Sequence, residues 1–86
     1  MSTLLLTEQE QRLISQLAAD SETGNHLIRP RSEEYKALLA TFNEIVNKKD
    51  EQRTDKEKQI CEYFAACKDF DAYKAFCEKY DTFAKL

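Results

Sequence analysis

Apolar residues recur along this chain at spacings of three and four between runs of charge, a pattern that predicts helices and no strands. Thr7 followed by Glu10 has the form of a capping box, in which the hydroxyl accepts from the third backbone N–H and the carboxylate reaches back. A helix over 8–20 is expected to follow, with Leu13, Ile14, Leu17 and Ala18 as its buried stripe. Residues 21–30 hold the only Gly and the only Pro, and read as the one substantial loop. There Gly24 and Asn25 supply the turn conformations that end the helix, while Leu27 and Ile28 are expected to tuck onto the core. Ser32 can cap a second helix over 33–48, with Glu33 and Glu34 in the first turn, where the helix dipole favours negative charge. Tyr35, Leu38, Leu39, Phe42, Ile45 and Val46 make it the clearest amphipathic element. Lys48 to Arg53 reads as an exposed charged connector. Thr54 with Glu57 then repeats the capping-box pattern and opens a third helix over 55–68, with Ile60, Cys61, Phe64 and Cys67 inward.

Residues 54–86 carry seven of the nine aromatic residues and all three cysteines, without Gly or Pro. Advancing about 100° per residue, the stripe of Ile60, Phe64 and Cys67 and the later stripe of Tyr73, Phe76, Tyr80 and Phe83 lie more than about 100° apart around one axis. A straight helix facing one core cannot bury both. The reading is a break near Lys68–Asp71, with Asp69 capping a fourth helix over 70–85. The alternative is one continuous helix of about 48 Å that presents successive faces to its own bundle and to a second subunit.

Eighty-six residues suffice for a single core that buries roughly 60–65% of the unfolded chain's area. With 42% apolar and 34% charged residues, the expectation is one all-α domain over 1–86, a small antiparallel helical bundle of three to four helices. The net charge is −3 and the signs are interspersed, so there is no basic field for a phosphate backbone. Leu4, Leu5 and Leu6 form too short a run for a signal peptide, and no stretch approaches a membrane span. A soluble, cytoplasmic protein without a membrane partner is expected.

Candidate chemistry is sparse. Cys61, Cys67 and Cys77 read as reduced, buried thiols that fill the core. With one histidine in the chain, no metal ligand set assembles, and neither metal nor other cofactor is expected. His26 is the only base for a cysteine nucleophile and stands alone in the loop. One Gly makes no phosphate loop, and the carboxylates alternate with lysines as on a solvated helix face, so no catalytic residues are expected. Cys67 and Cys77, with nine residues between them, resemble one half of the twin helical-hairpin proteins of the mitochondrial intermembrane space, whose frame needs two such pairs.

Leu6-Thr7-Glu8-Gln9-Glu10-Gln11-Arg12-Leu13-Ile14-Ser15-Gln16-Leu17-Ala18 resembles the opening of the LuxR-type DNA-binding helix-turn-helix, which begins with a similar Leu-Thr-x-x-Glu pattern. The resemblance covers about thirteen residues and implies a DNA-binding transcriptional regulator. The short turn and recognition helix of that family are replaced here by a long polar loop and the acidic Glu33-Glu34 start.

Two surfaces remain as candidate contacts. His26, Arg29, Arg31 and Lys36 form the only locally positive patch, suited to an acidic partner surface. Phe64, Phe70 and Phe76 read as core, whereas Tyr63, Tyr73, Tyr80 and Phe83 exceed what so small a domain is expected to cover. These four are therefore assigned to self-association, most simply as a two-fold homodimer. The function expected is a non-enzymatic, protein-binding regulator, inhibitor or adaptor. The alternatives are the DNA-binding regulator just described and a thiol- or metal-dependent small protein.

Overall fold

In the computed structural model, which describes residues 4–24 and 32–80, each helix begins at a side chain that satisfies its first free backbone N–H groups. Helix α1 spans Glu8–Thr23, α2 Glu33–Asn47, α3 Asp55–Cys67 and α4 Phe70–Lys79. Thr7 Oγ1 accepts from Glu10 N at 3.1 Å while Thr7 N donates to Glu10 Oε1 at 2.9 Å, and Thr54 and Glu57 repeat both distances. Ser32 caps α2 through Tyr35 N at 3.2 Å. Asp69 caps α4, accepting from Asp71 N at 2.9 Å and Ala72 N at 3.4 Å. The break expected between the third and fourth helices is therefore present, and the capping residue is the expected one.

The boundaries differ from expectation where stop signals are weak. Helix α1 continues three residues past Asp20, because nothing in Ser21-Glu22-Thr23 ends it before Gly24 turns left-handed at φ 76°. Toward the other end of the chain α4 runs Phe70–Lys79, and Tyr80 leaves helical geometry at φ −105°, ψ 10°. The rest of the expected fourth helix, 81–85, lies outside the described residues, as do Asn25, Leu27, Ile28 and Pro30 of the expected loop strap. The connector after α2 holds a single 3-10 turn, Asp50–Gln52, which is exposed as its charge suggested. Arg53 folds back so that its Nε donates to the Ile45 carbonyl at 3.0 Å, closing the end of α2.

Together the described helices form a small all-α antiparallel bundle with α3 at its centre. Lys56 Nζ meets Glu10 Oε2 at 2.9 Å and Gln59 Oε1 accepts from Leu5 N at 2.8 Å, so α1 and α3 start at the same end. Lys48 reaches Glu57 at 2.8 Å and Phe42 meets Phe64, so α2 runs the other way. The end of α1 is tied to the start of α2 by Tyr35 Oη donating to the buried Asp20 carboxylate at 3.0 Å. Helix α4 returns along α3. Ile14, Ile45 and Cys77 are the largest of the fully buried side chains, and Leu6, Leu17, Tyr35, Ile60, Tyr63, Ala66 and Phe76 close around them.

Glu10 and Glu57 hold two partners each, and both carboxyls lie below the usual 4.5. For Glu10 partial burial is the largest single influence and acts upward, but the Thr7 N–H and the Lys56 ammonium together outweigh it. For Glu57 the Lys48 hydrogen bond acts first and the Thr54 N–H second. Carboxyls depressed in the folded state stabilise it above their unfolded value, and that stabilisation is lost as pH falls through the folded value. The melting temperature is therefore expected to decline from about pH 4.5 downward, and Glu10→Gln with Glu57→Gln to lower the neutral-pH plateau and flatten this acid limb. Thermal melts by circular dichroism between pH 2 and 7 check both.

Candidate functional site

The residues singled out for contact do not form one site. Tyr63 and Tyr80 are only 5% and 9% exposed, with Tyr73 half-buried beside them. Tyr63 meets Tyr73 edge-on at 6.0 Å and Phe76 edge-on at 5.1 Å, and Phe76 tilts against Tyr80 at 4.6 Å. Tyr80 Oη donates to Glu62 Oε2 at 2.9 Å, and Lys79 approaches the same carboxylate at 3.6 Å. Burial pushes the Tyr63, Tyr73 and Tyr80 phenols up from their ordinary value. Tyr63 and Tyr80 are thus spent within the α3–α4 hairpin and are not free for a second chain in this conformation, which corrects their assignment to an exposed face. The Tyr80 hydroxyl finds its partner inside the molecule, on Glu62. Phe83 lies outside the described residues.

Of the basic patch, His26, Arg29 and Arg31 also lie outside the described residues. Lys36 is exposed on α2 and pairs with Glu33 at 3.7 Å, an i,i+3 contact worth a few tenths of a kcal/mol at most.

Of the three phenylalanines read as core, Phe76 is buried and the other two are not. Phe70, expected in the core, is 70% exposed at the first position of α4. Phe64 is only half-buried, stacking against Phe42 with ring centroids 4.5 Å apart, and Lys68 Nζ stands 5.1 Å over it. Along α2 the half-buried Leu39 and Phe42 continue to Val46, which is 47% exposed. The helical spacing of Leu39, Phe42 and Val46 puts them on one edge of the buried Tyr35–Leu38–Ile45 stripe. The α2–α3 flank is therefore a continuous apolar strip that the described chain covers incompletely. Sequence periodicity groups these residues with the core, and only the packing angle between α2 and α3 separates them from it.

The thiols show no activating surroundings. Cys77 is buried and Cys61 and Cys67 are half-buried. Burial pushes the Cys61 and Cys67 thiols up, and for Cys61 that outweighs the opposing pull of Arg53. Among the described residues no three His, Cys, Asp or Glu side chains cluster as a metal site, and no helix is long and apolar enough to cross a membrane. No family model, curated protein or solved structure matches the chain.

In the native state at pH 7.5, iodoacetamide is expected to modify Cys61 and Cys67 more slowly than a free thiol and to leave Cys77 last. All three should react together once the chain is unfolded in urea. Peptide mass mapping over time distinguishes this order from the fast single-site labelling of an activated cysteine.

Proposed function

We propose that this chain is a non-enzymatic protein-binding module, of the regulator, inhibitor or adaptor kind, and that its binding surface is the α2–α3 flank. The observation that carries the reading is the half-buried Phe42–Phe64 pair, edged by Leu39 and the 47% exposed Val46 and overlain by the Lys68 ammonium. Aromatic anchors beside aliphatic groups with a cation at the rim are the composition of a protein interface core and its edge. The exposed Lys68 ammonium can stay in water at the rim while a partner covers the rings. Lys36 stands one turn before Leu39 on the same helix, where it pairs with Glu33 near the edge of this flank.

Val46→Asp places a charge in the strip at a position whose side chain is already half in water, so the fold should be retained with a melting temperature within a few degrees of wild type. Proteins retained by the immobilised wild-type chain from an extract of its source cells are expected to be lost with Val46→Asp. Identical retention by the two, or no specific retention by either, removes the flank as a binding surface.

A further inference from the structure

Helices α3 and α4 are separated by two residues, and only one of them departs from helical geometry. Lys68 has φ −86° and ψ −14°, close to helical values, whereas Asp69 is extended at φ −138° and ψ 121°. The stretch Ala65-Ala66-Cys67-Lys68-Asp69-Phe70-Asp71-Ala72 contains neither Gly nor Pro, so its covalent structure allows the helix to pass straight through. The break is held by the Asp69 cap and by the docking of α4 onto α3. Among the described residues α4 docks chiefly on α3, and wherever it packs its Phe76 and Cys77 must return to an equivalent core. Rotating Asp69 alone into the helical region would fuse Asp55 to Lys79 into one helix roughly 37 Å long.

Along such a fused helix, Gln59, Tyr63, Ala66, Phe70, Tyr73, Cys77 and Tyr80 recur at alternating spacings of four and three, the heptad seam of a coiled coil. In the hairpin Gln59, Tyr63, Ala66, Cys77 and Tyr80 are buried and Tyr73 is half-buried. Phe70 alone is left in water, because it sits at the turn. The contacts across the hairpin are also symmetric along the chain. Tyr63 with Phe76, Glu62 with Lys79 and Glu62 with Tyr80 are each centred close to residue 70, and Tyr63 with Tyr73 is centred on residue 68. A pairing symmetric about one residue is what an antiparallel two-fold needs, since the same pairs re-form between α3 of one copy and α4 of another.

We propose that α4 exchanges between two copies of this chain: Asp69 turns helical, α3 and α4 fuse, and each α4 packs on the other copy's α3 with the two Phe70 rings meeting at the two-fold axis. The seam then places Tyr63 opposite Cys77 and Ala66 opposite Tyr73, large against small. The exchange regains the hairpin's contacts and adds the burial of Phe70, and it gives up the two Asp69 caps. This self-association uses the α3–α4 seam and stands independently of the α2–α3 flank.

The test is the solution mass by light scattering, from about 10 µM to 1 mM, on the wild-type chain and three variants. Wild type is expected to shift from monomer to dimer within this range. Asp69→Ala removes the cap that competes with fusion and should lower the midpoint concentration about tenfold or more, as two caps are relieved per dimer. Phe70→Pro suits the first position of α4 and the extended Asp69 before it, yet breaks a continuous helix, and should stay monomeric with unchanged helicity. Phe70→Ala removes the ring but not the capacity to fuse, and should still dimerise, at higher concentration than wild type. The exchange is overturned if Asp69→Ala does not favour the dimer, or if Phe70→Pro dimerises as wild type does. It is also overturned if Phe70→Ala and Phe70→Pro are equally monomeric, which would mark a simple surface contact through the ring. Should Phe70→Pro melt early, the Asp69→Ala midpoint decides alone.

Discussion

Everything else in this bundle depends on the burial of α3. Its side chains point to three neighbours at once: Phe64 to Phe42 of α2, Gln59 and Lys56 to the start of α1, Tyr63 and Glu62 to α4. Such a helix cannot be stable alone in water, since thirteen residues are marginal even with good propensity. It is stable here because each neighbour hides a different side of it. Each neighbour in turn needs only one apolar stripe, and the short α4 can persist with ten residues.

The two glutamates at the third helical positions tie the local and global levels together. Glu10 turns one oxygen to the Thr7 N–H and the other to Lys56 of α3, and Glu57 does the same with Thr54 and Lys48 of α2. A cap that also carries an interhelical ion pair fixes where a helix starts and which neighbour that start lies beside. Side chains already ordered by the cap lose less entropy on forming the second contact. That makes these pairs more useful than solitary surface bridges such as Arg12–Glu8 at 4.0 Å.

Much of this was legible in the sequence, and the reasons differ by element. The four starts could be read because Thr7, Ser32, Thr54 and Asp69 act through bonds two or three residues away, which any reading of neighbours sees. The α3–α4 break was legible because two apolar stripes diverge too far for one straight helix. The tyrosines were misjudged because their surplus was counted as if every helix had one inner face. With α3 covered on three sides, Tyr63 and Tyr80 fit inside, and among the described residues Leu5, Val46 and Phe70 are left exposed, with Phe64 half-buried. Exposure of that kind is set by crossing angles and by proximity to a turn, neither of which periodicity encodes. The longer α1 was missed because its stop signal is Gly24 and not Asp20, and the folded-back Arg53 because its charge was given weight that the bond to the Ile45 carbonyl overrides.

The hydrogen bond from Leu5 N to Gln59 spans 54 residues, whereas α2 with α3 and α3 with α4 are neighbours in sequence. Contacts between adjacent segments close short loops and form quickly, while joining distant ones bears the greater loop-closure entropy. The slow step in the chain's folding is thereby assigned to the return of α1: an α2–α3–α4 corner can assemble from local encounters, and the N-terminal helix completes the core by seating Ile14 and Leu17 over it.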